Sequence, residues 1–394
     1  MSSFADTSRF SLRTNNLEAS PIREILSVID RPGMISFAGG LPSPESFPAM
    51  NLANVPAGSL QYGPTEGDPE LRQCIAEHLN ALGLKCRLEQ VLILSGSQQG
   101  IDLVGKLFVD NGTPVAVESP TYLAALQVFR YFGASFSTLD PRLPDAGFTT
   151  ELRPAFAYAI PTFQNPTGHC YDADERAALA RACDDFDVPL FEDDPYRDLA
   201  YDDCARTPVC AGLQRASWIY QGSFSKSLAP GLRLGYLVAS PDLMVPLVRL
   251  KQAADLHSNR ISQWYVLSQL QDAAHEQRIA GLVDSYRRKR DHFARELERY
   301  FSGLASWQVP AGGLFFWLEL REKMDSRTLL PQAIQHNVAF MPGEPFFPGR
   351  PSACGALRLN FSHADDARIS QGLATLARLF ESALTGAKRS VRSA

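Results

Sequence analysis

The chain has no apolar stretch near the ~20 residues that a membrane-spanning helix requires. Its N-terminus, MSSFADTSRFSLRTNN, lacks the apolar segment of a secretory signal. Cysteine is scarce: seven residues, at positions 74, 86, 170, 183, 204, 210 and 354, with no C-x-x-C pair and no histidine at ligand spacing. That count and spacing argue against a disulfide framework or a bound metal, and predict reduced thiols used as small apolar residues. Excess positive charge is missing too. The 38 Lys plus Arg against 43 Asp plus Glu leave a formal charge of −5, which offers no footprint for nucleic acid or an anionic membrane. Neither G-x-G-x-x-G nor G-x-x-x-x-G-K-[ST] occurs, so the common nucleotide fingerprints are absent. No internal repeat, low-complexity tract or long Gly/Ser linker divides the chain. The expectation is a soluble, cytoplasmic protein with neither nucleic-acid nor membrane partners.

What is present points to an ordinary globular chain, with 394 residues and 45% apolar content. That length suits two domains, or one large α/β domain with an appendage. The first forty-odd residues are broken by Pro21, Pro32, Gly39, Gly40, Pro42, Pro44 and Pro48, and suit an arm lying over another surface. Asp68 and Pro69 then open a helix with Leu71, Ile75, Leu79 and Leu82 as its apolar stripe. Short apolar runs follow: Val91–Leu94, Val115–Val117, Phe156–Ile160, Val188–Phe191, Trp218–Tyr220 and Leu234–Ala239. Helical patterns separate them at Gln99–Phe108, Tyr122–Phe132 and Ala173–Asp185, the last opened by Asp172 and Glu175 as a capping box. Runs apolar on both faces, with helices between, predict a mainly parallel sheet between helix layers. Helical sequence from about Asp242 to Tyr300 leads into a smaller α+β unit containing Leu314–Leu320, Val338–Phe340 and Ala356–Phe361. The expected division is an arm with part of a small domain over 1–57, a large domain over 58–290 and a C-terminal small domain over 291–394.

Ligands of an open parallel sheet bind beyond the carboxyl ends of its strands. Four runs end in polar sequence: SGSQQG (Ser95 to Gly100), PTFQNPTG (Pro161 to Gly168), EDDPY (Glu192 to Tyr196) and QGSFSK (Gln221 to Lys226). Each alone is a plausible turn, but all four would meet at one sheet edge. SGSQQG opens a helix whose free N–H groups, with Ser97 and Gln98, suit a phosphate, though a capped Gly turn reads as well. Ser223, Ser225, Lys226 and Arg233 lie within eleven residues; a lysine at a buried strand end suggests a shifted pKa or a covalent partner, while a surface Lys and Arg in a polar loop is the commoner fate of such residues. The three carboxylates of EDDPY suit either a divalent metal or an ion pair, and the cationic neighbours favour the pair. Asn165 can offer its amide to a ligand oxygen, or simply shape an Asn-Pro turn.

Taken in order, these segments resemble the fold type I pyridoxal-phosphate enzymes, specifically the class I/II aminotransferases of the 2-aminoadipate and kynurenine aminotransferase II kind. The likeness runs from SPIREI (Ser20 to Ile25) to ALRLNFS (Ala356 to Ser362), through ISFAGGLP (Ile35 to Pro42), LQYGPTEGDPELR (Leu60 to Arg72), ESPTY (Glu118 to Tyr122), GGLFFW (Gly312 to Trp317) and MPGEPFF (Met341 to Phe347). The resemblance implies that Lys226 is the Schiff-base lysine and carries the proton between the substrate Cα and the cofactor C4′. It implies that Asp193 faces the pyridine nitrogen, that Tyr196 and Asn165 bond the phenolic oxygen, and that Tyr122 stacks on the ring. Ser97, Gln98, Ser223, Ser225 and Arg233 would hold the phosphate, with Tyr62 reaching the site of a neighbouring subunit in a homodimer. Arg358 would pair with the substrate α-carboxylate, Gly40 would lie over the substrate, and Arg23 would meet a distal carboxylate. Aromatic residues near the entrance (Phe37, Tyr62, Phe346 and Phe347) would suit an aromatic or long-chain donor, or serve as plain packing.

The implied reaction is a ping-pong transfer of an amino group from an amino acid to a 2-oxo acid on pyridoxal 5′-phosphate. Biosynthetic decarboxylases, eliminases and cyclases share the same cofactor residues and form the alternative. A transcription regulator carrying this fold is the remaining rival. It is disfavoured because the likeness begins within about twenty residues of the start, and by the charge of −5.

Overall fold

The computed structural model describes residues 9–17, 31–151 and 153–392. A two-residue strand, β1 (Ile35–Ser36), precedes the first long helix, α1 (Pro69–Ala81). The Asp68 carboxylate caps α1, accepting from the Glu70 and Leu71 N–H groups at 3.0 and 3.3 Å, and Pro69 occupies the turn where no N–H is needed. Leu71, Ile75 and Leu79 form the buried face, as their spacing predicts.

Strands and helices then alternate: β2 (Val91–Leu94), α2 (Ser97–Phe108), β3 (Pro114–Val117), α3 (Leu123–Phe132), β4 (Ser135–Thr138), β5 (Phe156–Ala159), α4 (Ala173–Phe186) and β6 (Leu190–Asp194). After β6 come β7 (Trp218–Ser223) and β8 (Gly235–Ala239). The seven strands form one sheet in the order β2-β8-β7-β6-β5-β3-β4. Its pairs are parallel except at β8, which runs antiparallel to both β2 and β7. The link from β7 to β8 holds no crossover helix, so β8 returns against its predecessor. Strand β4 was not legible as an apolar run: Ser-Phe-Ser-Thr sits half exposed at the sheet edge.

Helices α5 (Pro241–Asp255), α6 (Arg260–Leu270) and α7 (His275–Phe301) complete the helical tract expected there. Helices α1, α4 and α6 cover one face of the sheet through Leu79, Leu179 and Val266. Helices α2, α3 and α5 cover the other through Val104, Phe129 and Leu247. The α4 capping box forms as read, with Glu175 N–H to Asp172 at 2.8 Å and Asp172 N–H to Glu175 at 2.9 Å.

A second unit holds β9 (Ala305–Trp307), β10 (Phe315–Leu320), α8 (Leu330–Gln335), β11 (Val338–Ala339), β12 (Met341–Pro342), β13 (Ala356–Asn360) and α9 (Asp366–Arg392). Its antiparallel sheet has the order β12-β13-β10-β9, while β1 pairs with β11 in parallel. Tyr286, Phe293 and Leu297 of α7 pack into this second core, so residue 290 lies inside a continuous helix that serves it. Phe37 is fully buried there, 5.4 Å edge-on from Phe293, and is core rather than entrance. Among the described residues no helix is long and apolar enough to cross a membrane.

Candidate active site

Strands β2, β5, β6 and β7 point the same way, so their carboxyl ends deliver the four polar segments to one sheet edge. Helix α2 starts three residues after β2, with Gly96 as its N-cap at φ +85°. A Cβ on Gly96 would lie 2.5 Å from Arg233 Nη2, and one on Gly235 would lie 3.1 Å from the Ser97 nitrogen. Only glycine lets the Arg233 guanidinium and the start of α2 approach this closely. Ser223 pairs with Gly235 across β7 and β8, and its Oγ accepts from the Ser225 N–H at 3.2 Å. The cradle thus combines a helix N-terminus, a guanidinium and hydroxyls, a donor set for an anion. Gln98 follows in the first turn and borders a cavity of about 380 Å³ with Asp102 and Tyr131.

The turn before α2 is pinned from below. Asp255 accepts from Ser95 Oγ at 2.7 Å and from Gln99 Nε2 at 2.8 Å, and pairs with the buried Lys251 at 2.5 Å. Neither Asp255 nor Lys251 stood out in the sequence, because their helix reads as a plain amphipathic segment.

Lys226 follows β7, and its Nζ donates to the Gly40 carbonyl at 2.7 Å. Burial, reinforced by Arg358 and Arg233, pulls its ammonium down to about 8. A Cβ at Gly40 would press on the Phe315 ring at 3.2 Å and reach ordinary contact with Lys226 Nζ at 3.8 Å, so the chain passes close to both here.

Asp193 is buried at the end of β6 and accepts from Tyr158 Oη at 2.8 Å and Gln221 Nε2 at 2.9 Å. Burial is the larger influence and pushes its carboxyl up to about 6 against those two hydrogen bonds. Its partners are neutral, so the carboxylate has no cation of its own. Tyr158 and Gln221, which hold this carboxylate, were not singled out by the sequence. Gln221 stands directly opposite Asp193 in the β6–β7 register, a signal available only once that register is known.

Asn165 and Tyr196 meet at 3.3 Å, and Arg358 Nη1 donates to Asn165 Oδ1 at 2.8 Å. Arg358 Nη2 donates to the Ala38 carbonyl at 2.6 Å, while Nε is buried without a partner. The guanidinium lies 4.1 Å from the Phe315 centroid and 5.0 Å from that of Phe346, so two ring faces flank it. Burial lowers it to about 10, leaving it charged at neutral pH. Tyr122 completes the group, its phenol raised by burial and by Asp193 and lowered by Arg358 and Arg233.

One expected residue stands apart from this constellation. Tyr62 is 76% exposed and packs edge-on against His257 at 5.8 Å. Arg23 lies outside the described residues. Phe346 is fully buried against Trp317, and Phe347 lies beside the same ring.

Pyridoxal phosphate carries a phosphate, a basic ring nitrogen and an aldehyde. The residues present fit that set: a glycine-lined anion cradle, a buried carboxylate without a cation, and a lysine amine close to neutrality. Comparison with known proteins agrees. The family model described as "Aminotransferase class I and II" matches residues 35–376. A 2-aminoadipate transaminase from Thermus thermophilus is 38% identical over 393 residues, covering 95% of this chain and 97% of that protein. Aromatic-amino-acid aminotransferase 1 from Thermococcus litoralis is 34% identical over 390 residues, covering 93% of each. The crystal structure of the Thermus thermophilus α-aminoadipate aminotransferase, complexed with N-(5′-phosphopyridoxyl)-L-leucine, superposes with a TM-score of 0.85 at 36% identity. It covers 95% of this chain and 98% of that one.

Proposed function

The chain belongs to the class I and II aminotransferases and is a pyridoxal-5′-phosphate-dependent enzyme, and on that premise we propose how its residues divide the work. The α2 N-terminus with Ser97, Gln98, Ser223, Ser225 and Arg233 holds the cofactor phosphate. Asp193 would keep the ring nitrogen protonated, Asn165 and Tyr196 would bond the phenolic oxygen, and Tyr122 would lie against the ring. When bound, pyridoxal phosphate supplies an electron sink for the pair left by the substrate Cα–H bond. Lys226 is the base that takes the Cα proton. Its lowered ammonium leaves a useful neutral fraction at neutral pH. Arg358 binds the α-carboxylate, held in orientation by Asn165, Ala38 and two phenyl faces, with Nε still free to donate. Gly40 lies over the substrate.

The observation that carries this reading is the edge of the seven-stranded sheet, where the amine of Lys226 and the cation-free carboxylate of Asp193 lie, met from β13 of the second sheet by the flanked guanidinium of Arg358. We assign the donor to 2-aminoadipate or an aromatic amino acid. The names of the two curated relatives support that class, and Arg23 is the candidate for a distal carboxylate. The active unit we propose is a cytoplasmic homodimer. The exposed Tyr62 ring suits contact with a second subunit, and seven free thiols suit a reducing compartment.

The test is a donor screen on the loaded enzyme with no acceptor added. An aminotransferase releases one 2-oxo acid per active site and stops until a 2-oxo acid is supplied. Continuous release of carbon dioxide or ammonia from a single amino acid would overturn the reading.

A further inference from the structure

Two of the seven thiols face each other beside the loops that carry Asn165 and Tyr196. Cys170 follows the turn ending at Gly168, and Cys204 lies in the loop beyond Tyr201. The two thiols are neighbours, and their contact lowers the thiol of Cys170 and raises that of Cys204. The Cys170 thiol donates to the carbonyl of Ala205, the residue after its partner, at 3.3 Å. Arg176 of α4 places Nη2 3.6 Å from the same sulfur. That guanidinium is fixed, because it also donates to the carbonyls of Pro161, Tyr171 and Thr207 at 2.9, 3.0 and 3.0 Å.

This surrounding sets Cys170 apart. The Cys204 thiol, a buried guanidinium and the Phe163 N–H all favour its thiolate, and its thiol is drawn down to about 6. Burial raises the thiols of Cys74, Cys86, Cys183, Cys210 and Cys354, and the contact with Cys170 raises that of Cys204. Cys170 and Cys204 are both half-buried, and the flanking His169, Asp203 and Arg206 are exposed, so a small oxidant can reach the sulfurs. Packing alone does not call for a charged partner at a cysteine.

We propose that Cys170 and Cys204 form a peroxide-oxidised pair, with Cys170 as the attacking sulfur and Cys204 as the resolving one. The Cys170 thiolate forms a bond to one oxygen of hydrogen peroxide, the O–O bond breaks and hydroxide leaves, giving a sulfenic acid. The Cys204 sulfur then attacks Cys170, the S–S bond forms, and the sulfenic oxygen departs as water with the Cys204 proton. Two thiols and one hydrogen peroxide become one disulfide and two waters. The sulfurs supply both electrons. The bridge would join the segment after the Asn165 turn to the segment after Tyr196, two groups that already meet at 3.3 Å.

The experiment treats the cofactor-loaded enzyme with hydrogen peroxide at pH 7, followed by non-reducing peptide mapping and thiol titration. The expected result is a Cys170–Cys204 cross-linked peptide two hydrogens lighter than its parts. Two thiols per chain should be lost and should return with dithiothreitol. Cys204→Ser and, independently, Cys204→Ala should stop at a Cys170 sulfenic acid that dimedone captures. Alkylation of Cys170 by iodoacetamide should be half-maximal near pH 6, set by Cys204, Arg176 and the Phe163 N–H around it. First oxidation at any other cysteine, over-oxidation of Cys170 without the cross-link in the unsubstituted chain, or an alkylation midpoint above pH 8 would each overturn the proposal.

Discussion

The carboxylates of Asp193 and Asp194 leave β6 on opposite faces of the sheet. Asp193 accepts from Tyr158 and Gln221 at 2.8 and 2.9 Å, whereas Asp194 is ion-paired with Arg197 and accepts from Tyr220 at 2.9 Å. Side chains alternate along a strand, so one peptide step separates a carboxylate open to a cationic ligand from one already neutralised. Glu192, two residues before Asp194 and also buried, is raised first by burial and then by Asp194, and its Oε2 accepts from the Cys210 N–H at 2.9 Å.

Substituting the two aspartates should therefore separate catalysis from stability. Asp193→Asn should lower kcat by about 10²–10³, the range for losing one preorganised electrostatic group at a reacting centre. Asp194→Asn leaves Arg197 buried and unpaired, and should cost about 3–5 kcal/mol of stability with much less effect on kcat. Steady-state kinetics with denaturant midpoints check both. The reverse pattern would make Asp194 the ring partner.

Lys226 should show its shifted titration in cofactor capture. Below about 8 its amine is protonated, so the rate at which the apoenzyme captures pyridoxal phosphate should fall about tenfold per pH unit below that value. Above it the rate should level off, because the amine is then mostly neutral. At pH 7 about a tenth is neutral, against roughly one part in a few thousand for an unshifted lysine. Stopped-flow absorbance gives the profile, and a midpoint near 10 would contradict it. Lys226→Ala should lower turnover by about 10²–10⁴ or more while the protein stays folded.

Arg358 and Arg23 should report on opposite ends of the substrate. Arg358→Ala should weaken every donor by about 2–5 kcal/mol, because each carries the α-carboxylate and the site is dry. Arg358→Lys keeps the charge but loses the planar fork, and should recover only part of that loss. Arg23→Ala should cost about 1.5–3 kcal/mol with 2-aminoadipate or glutamate, roughly ten- to a hundredfold in kcat/KM, and should spare aromatic donors. A small uniform loss would assign Arg23 to packing.

Asp255 should act on cofactor affinity through the turn it pins. Asp255→Ala frees Ser95 and Gln99 and strands the Lys251 ammonium, which is fully buried. The cofactor Kd, read by fluorescence titration, should rise several-fold, with a drop in Tm. Pairing Asp255→Ala with Lys251→Met should recover much of the stability, since no buried charge is then left alone, but not the cofactor affinity.

Local chemistry was legible without a structure. The runs that became β2, β5 and β8 are apolar on both faces over four or five residues, and helix starts at Asp68 and Asp172 follow from side chains two or three residues away. The polar segments ending in Gly100, Gly168, Tyr196 and Lys226 could be ordered along one sheet edge because parallel strands share a direction. What no local pattern carries is register and long-range contact. Gln221 opposite Asp193, Tyr158 reaching the same carboxylate, Arg197 neutralising Asp194 and Phe37 turned into the second core all depend on which residue of one element meets which of another. The same holds for Cys170 and Cys204, far apart in the chain and joined only by folding. Residue type and spacing determine which chemistry is on offer; tertiary packing decides which copy of a residue is buried, paired or left free to react.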